Sequence, residues 1–209
     1  MRVLIATLLL PLATLSAIAA PADDIAARLG ARLEQTPVLR AEFVQTKELA
    51  AFKKPIVTRG HLVFARRDGV LWQIEQPLTL TYVMTETRIG EIGEDGQMQM
   101  RSVQEVPAMA QVGRILRALL GAQLGPLREW FDATAEGDEK RWTMTLLPKS
   151  SQVGQFIRRV TLSGGIAVEA LNIEEAGGDT TRIRFRNTIE SKSLSNEERT
   201  LFEARAGGR

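Results

Sequence analysis

The chain contains no cysteine, a single histidine and a single tyrosine in 209 residues. Without cysteine there is no disulfide and no thiolate metal site. Nor is there a thiol on which a lipid anchor could be built. One histidine, His61, cannot supply a site made of several imidazoles, so no metal is expected. No Gly-x-Ser-x-Gly elbow, no P-loop and no dinucleotide fingerprint occurs, so no cofactor is implied. Glu174-Glu175 is the one adjacent acidic pair in a strand-like segment, and neighbouring strand residues point to opposite faces. Nothing here favours an enzyme. The net charge is only +2, too small to indicate a nucleic-acid partner. Internal repeats and low-complexity segments are also missing.

What is present begins with a processing signal. Arg2 is the only charge before Asp23, an apolar run from Val3 to Leu15 follows, and small residues close it. This is the layout of an export leader. Ala17-Ile18-Ala19 fits cleavage after Ala19, giving residues 1–19 as leader and 20–209 as a single domain, and Ala20-Pro21-Ala22 is a second option. The run is short for a membrane span and carries Pro11. A bacterial periplasm is the compartment this implies. Removing Arg2 leaves 26 basic residues against 25 acids, a mature charge of +1.

The next segment, "ADDIAARLGARLEQTP", repeats Ile25, Leu29 and Leu33 every four residues. It predicts an amphipathic helix over 24–35, ended by Pro37. From Val38 the period becomes two. "LRAEFVQTKEL", "GHLVFAR", "VLWQIEQP" and "LTYVMTE" each alternate, with Asp68-Gly69 as a hairpin turn. Phe43, then Leu62, Phe64 and Arg66, then Val70, Trp72 and Ile74, then Tyr82 and Met84 fall on one face. His61 falls on the other. "RIGEIGEDGQMQMRSV" continues the strands around a turn at 93–96.

The period then changes to helical. "PAMAQVGRILRALLGA" sets Met109, Val112, Ile115, Leu116 and Leu119 on one stripe. "GPLREWFDAT" reads as a further helical turn carrying Leu127, Trp130 and Phe131. Lying between two sets of strands, this insert near 105–133 must cover a sheet face or its mouth. Four strands follow: "KRWTMTLLPK", "FIRRVTLSGG", "AVEALNIEEAGG" and "DTTRIRFRNTIES". Arg182, Arg184 and Arg186 share one face of the last, which reads as a solvated outer face. The tail "TLFEARAGGR" has room for one more short strand. Met84, Met98, Met100, Met109 and Met144 are adaptable fillers, suited to cores and to surfaces that accept varied ligands.

At this point "FVQTK", Gly60-x-Leu62, Arg66, Trp72 and Gln76-Pro77 resemble the LolA family of periplasmic lipoprotein carriers. "LLPKSSQVGQFIRRVTLSGGIAVEALNIEEAGGDTTRIRFRN" resembles the second half of the same family. The resemblance covers nearly the whole mature chain. It implies a mainly β fold with α: an incomplete antiparallel β-barrel, a half-shell sheet covered by helices. It implies a carrier that shields acyl chains of lipoproteins or lipids and delivers them towards the outer membrane. An inner-membrane donor complex and an outer-membrane acceptor are its implied partners, and the chain itself is expected to be a monomer. The family's own acceptor is excluded by the missing cysteine.

Joined to the residue reading, the resemblance assigns Phe43, Leu62, Phe64, Val70, Trp72, Ile74, Tyr82 and Met84 to a lipid-binding concave face. Ile115, Leu116 and Leu119 become its lid. Arg66 falls where the family carries a latch that hydrogen-bonds lid carbonyls, with Arg67 as a rival. The tail lacks the extended, proline-bearing end of the housekeeping carrier, which keeps a specialised carrier of an aryl-polyene or other lipid conjugate in view. Two other classes stay open: a solid-core periplasmic interaction module, and a lipid hydrolase using Ser102 or Ser163.

Overall fold

The computed structural model describes residues 27, 28, 31, 36–121, 125–138 and 140–204. The proposed leader lies outside them, as does most of the predicted helix at 24–35. Ala27, Arg28 and Ala31 of that helix are helical.

Eleven strands make one antiparallel sheet. The first meander is β1 (Val38–Glu48), β2 (Ile56–Ala65), β3 (Gly69–Gln76), β4 (Leu80–Met84), β5 (Arg88–Ile92) and β6 (Met98–Ser102). Helix α1 (Pro107–Leu120) and a 3-10 turn (Gly125–Leu127) follow. The second meander is β7 (Phe131–Gly137), β8 (Trp142–Pro148), β9 (Ile157–Gly164), β10 (Val168–Glu175) and β11 (Thr180–Ser191). A single turn, α2 (Ser151–Gly154), joins β8 to β9, and α3 (Asn196–Glu203) ends the described chain.

The two meanders join where β1 pairs with β11 along nearly its whole length, from Val38 opposite Ser191 to Glu48 opposite Thr180. The strand order is therefore β6-β5-β4-β3-β2-β1-β11-β10-β9-β8-β7. β6 and β7 remain the two edges, so the sheet is not closed into a barrel. This is the mainly β, helix-covered half-shell that the family resemblance implies, built from the strands that the alternating segments predict.

Period-two alternation divides the apolar residues between two faces. One face carries the larger cluster, with Phe43, Leu62, Phe64, Val70, Trp72 and Met84 from the first meander and Met144, Leu146, Val160, Leu162, Leu171, Ile183 and Phe185 from the second. Helix α1 packs there through Leu116 and Leu119. The other face buries Val38, Val63, Ala65, Leu71 and Val83 under Phe202 of α3.

Two elements differ from the sequence reading. Residues 131–137 form strand β7 and not part of a helical turn, because Phe131 and Ala135 alternate into the core and pair with β8. The tail is a helix, not a strand. Ser195 caps it by accepting from the Glu198 amide, and the Glu198 side chain accepts from the Ser195 amide. This reciprocal cap, with Phe202 anchored below, outweighs any extended preference.

Candidate functional site

Helix α1 approaches the sheet closely at Gly113. A Cβ there would lie 3.2 Å from Met84 Cβ. That contact seats the helix over β3 and β5, and one turn further along it Ile115, Leu116 and Leu119 overhang the second meander. Beneath them is an apolar cavity of about 290 Å³. Its walls come from separate strands: Leu146 of β8, Val160 of β9, Leu171 and Ile173 of β10, Ile183 of β11, and Phe131 at the start of β7. Alternation explains each contribution, because these are the inward positions of their strands.

Trp72 supplies the wall on the first-meander side. Its indole stacks on Phe43 with ring centroids 4.0 Å apart and meets Phe185 edge-on at 6.4 Å. Such pairs add specific geometry to a large burial of apolar area. Trp142, by contrast, is buried and donates from Nε1 to the Gly165 carbonyl at 2.7 Å, so its polar atom is satisfied away from the cavity.

The mouth is polar. Gln45, Lys47 and Thr181 line it. Lys47 Nζ lies 3.0 Å from Glu175 Oε1, and Thr181 Oγ1 donates to the same oxygen at 3.2 Å. Both ionic partners keep about a third of their side-chain surface in water, so the pair is screened and weak in stability terms. Its effect is to set charges where the apolar walls end.

Of the residues expected on the concave face, Trp72 lines this cavity together with Ile115, Leu116 and Leu119 of the helix. Phe43, Leu62, Phe64, Val70 and Met84 share that face but are 3% exposed or less, in close-packed core beside the cavity. Ile74 and Tyr82 are half-buried at the margin of the same cluster. Burial raises the Tyr82 phenol's pKa, and the nearby Glu91 charge adds to the shift. The second-meander walls and the polar mouth were not singled out from sequence, although their alternation was visible.

Arg66 is half-buried just past the end of β2, where it lines a cleft with Pro37, Val38, Leu194, Arg199 and Glu203 on the α3 side, not among the residues of the inner face where the alternation put it. Its backbone amide donates to the Pro37 carbonyl at 3.0 Å. Its Nε and one terminal nitrogen are buried with no hydrogen-bond partner, so those atoms do not make the lid-carbonyl bonds of a latch in this state. Arg67 is exposed at the hairpin.

The outer face holds the remaining polar candidates. His61 Nδ1 lies 2.8 Å from Glu75 Oε1, both exposed. Arg182 pairs with Glu48 there. Among the described residues no group of three or more His, Cys, Asp or Glu side chains is placed to hold a metal. Ser102 Oγ donates to Glu105 Oε1 at 3.1 Å on the surface, and Ser163 alternates with Leu162 onto the outer side of β9. Neither serine lines the cavity, and no histidine or carboxylate is among its walls. What the cavity offers chemically is contact with an apolar ligand.

Among solved structures, the fold is similar to that of the MucA/MucB complex of Pseudomonas aeruginosa, with a TM-score of 0.50 and 14% identity, over 88% of this chain and 60% of that one. A LolA superfamily protein from Nitrosomonas europaea aligns at 0.46 and 9% identity, over 86% of this chain and 97% of that one. The Mycobacterium tuberculosis lipoprotein LppX aligns at 0.45 and 11%, over 82% and 97%. No curated protein matches the chain. The family model of the outer membrane lipoprotein carrier protein LolA-like proteins matches residues 17–184, well over half the sequence. The chain therefore belongs to this LolA-like family.

Proposed function

We propose that the protein is a periplasmic carrier that shelters an acyl chain between α1 and the second meander and delivers it towards the outer membrane. The observation that carries this reading is the apolar cavity of about 290 Å³ with its polar mouth. A sixteen-carbon chain in water costs on the order of 12 kcal/mol at about 0.8 kcal/mol per methylene. An aqueous compartment is crossed only if something replaces that water with apolar side chains. The cavity walls do so, and the Lys47–Glu175 pair marks where a polar end would meet solvent.

The volume bears on the cargo. An engineered apolar cavity of about 150 Å³ admits a benzene ring, so the present one is about twice that and suits part of one chain. Cargo with several chains requires α1 to move away from the sheet. The helix meets the sheet through Gly113, Leu116 and Leu119, contacts that are apolar. Arg66 fits this reading as a group awaiting an acceptor: a guanidinium with buried, unpaired nitrogens gains most from carbonyls that approach when the helix shifts. A specialised lipid conjugate with one chain asks for the smallest opening of the helix, whereas a triacylated lipoprotein needs the widest. Export by the 1–19 leader, an inner-membrane donor and an outer-membrane acceptor complete the proposal.

Native mass spectrometry of the mature protein from a periplasmic extract tests it, together with titration of a fluorescent acyl probe. A co-purifying acylated species is expected, its mass separating a lipoprotein from a single-chain conjugate. A bare protein mass and no probe binding would reject the carrier and leave the solid-core module.

A further inference from the structure

The loops at the mouth end of the half-shell carry an exposed apolar group that neither the core nor the cavity uses. Strand direction places the β1–β2 loop, the β3–β4 turn, the β5–β6 turn, the β8–β9 link and the β10–β11 turn at one end of the sheet, the end where Lys47 and Thr181 rim the cavity. Phe52 in the first of these loops is 69% exposed, Leu78 in the second 65%, and Phe156 in the third 67%. Ile56, Val57 and Leu147 beside them are exposed as well. The opposite end of the sheet has only Ile166 and Ile189 of comparable size exposed among the described residues.

These side chains are held out; they do not dangle from free loops. The Phe52 amide donates to the Leu49 carbonyl at 2.9 Å, and the Phe156 amide to Val153 at 3.0 Å. The β10–β11 turn ties the two loops together. The Ala176 amide donates to the Phe156 carbonyl at 2.9 Å, and the Ala50 amide donates to Asp179 Oδ1 at 2.8 Å. Folding therefore fixes two phenyl rings in water at the rim of an apolar cavity, against the ordinary preference for burial.

The surrounding charge selects what would cover them. Lys53 and Lys54 follow Phe52 directly and Arg158 follows Phe156 by two, and none of the three has an acidic partner among the described residues. The acids nearby are already answered: Glu48 by Arg182, Glu174 by Arg159, Glu175 by Lys47, and Asp179 by the Ala50 amide. The β5–β6 turn at this same end carries the exposed Glu94 and Asp95 next to the Leu78 turn, so the cationic part of the rim is the side that holds Phe52 and Phe156. Separate apolar tips between unpaired cations match a bilayer surface, where rings enter the acyl boundary and cations meet anionic headgroups. A flat protein partner would instead call for a contiguous patch with a polar rim.

We infer that this end docks on an anionic lipid bilayer, with Phe52, Leu78 and Phe156 entering its interface and Lys53, Lys54 and Arg158 contacting headgroups. Docking there brings the cavity mouth to the membrane surface. The inference stands on the loops alone and holds whatever the cavity carries.

Flotation of the mature protein with vesicles of phosphatidylethanolamine and phosphatidylglycerol, against pure phosphatidylcholine, tests it. Partition onto the anionic vesicles is expected, weakening as salt rises. The F52S/F156S double variant should lose on the order of tenfold in partition or more, and K53E/K54E should erase the preference for anionic vesicles. Both residues are exposed, so an unchanged circular dichroism spectrum is expected, as is unchanged binding of a soluble acyl probe. Loss of probe binding in the wild type would reject the carrier and leave docking intact. Wild type that stays unbound to anionic vesicles, or a double variant that floats like wild type, would overturn docking. So would a wild-type dimer that the double variant dissolves, since a second copy would then be the occupant.

Discussion

Arg40 of β1 holds Glu198 of α3 through two hydrogen bonds, Nε to Oε1 at 2.6 Å and a terminal nitrogen to Oε2 at 2.5 Å. Glu198 also caps its own helix by accepting from the Ser195 amide at 2.7 Å. One carboxylate thus closes the helix start and fastens the helix to the outer sheet face, over the Phe202 cluster. The Arg40 bond comes first among the causes that hold the Glu198 carboxyl below its usual range.

Glu198→Gln should therefore cost about 1 kcal/mol, the typical value of a cap contact. The sign with pH follows from the lowered folded-state value. The stabilisation is present above the ordinary glutamate range, near 4.3, and is lost as pH falls through the lower folded value. Thermal melts from pH 7 down to pH 3 should show wild type losing its advantage over the variant at the acid end. Parallel curves across that range would reject the linkage.

Gly113 sets the height of α1 above the sheet. Gly113→Leu places a side chain where Met84 already stands, 3.2 Å from the new Cβ position. Overpacking of this kind costs roughly 1–3 kcal/mol. The relief available is for the helix to lift. The expected result is a lower Tm together with faster entry of an acyl probe in stopped-flow fluorescence. A lower Tm with unchanged entry would mean that the helix is no lid.

The strands of the sheet were legible because alternation and turn residues are local signals, while their curling into a half-shell came from the family resemblance. "LRAEFVQTKEL" and "GHLVFAR" show their inward and outward sides without tertiary knowledge. The apolar stripe of Ile115, Leu116 and Leu119 showed in the change of period, and the position of that segment between two sets of strands put it over the sheet or its mouth. The position of the cavity was not legible. It depends on β1 pairing with β11 between residues about 140 apart in the chain, which strand order sets and local pattern does not. That pairing brings Leu171 and Ile183 opposite Trp72, and so moves the cavity towards the second meander while Leu62, Phe64 and Val70 close up as core. The Phe131 strand was obscured by Trp130-Phe131 lying next to a helix-like run. The tail helix was signalled by Ser195 and Glu198 at capping-box spacing, a signal that went unused.

Val160 lies on the inner side of β9 and lines the cavity. Val160→Phe adds a ring's volume to a space of about 290 Å³, so it fills more than it overpacks. Stability should change by less than about 1.5 kcal/mol, the range tolerated when core volume can be accommodated. Acyl-probe affinity should fall by on the order of tenfold, about 1.4 kcal/mol, because the ring takes the space of about two methylenes of the probe at about 0.8 kcal/mol each. Unchanged probe affinity would place the binding site elsewhere.

Arg66 presents two opposed expectations that one variant separates. In the present state its Nε and one terminal nitrogen are buried without partners, and a buried donor left unpaired costs about 1–3 kcal/mol. Arg66→Met keeps the apolar stem and removes those donors. It should raise the Tm of the empty protein, because the two buried donors it removes have no partner in this state. If the guanidinium engages helix carbonyls only after α1 has moved, the same variant should slow onward transfer of acyl cargo to acceptor vesicles. A higher Tm with wild-type transfer would leave Arg66 as a costly core residue with no latch role. A lower Tm would show that the side chain already has a partner that matters, and that the closed state depends on it.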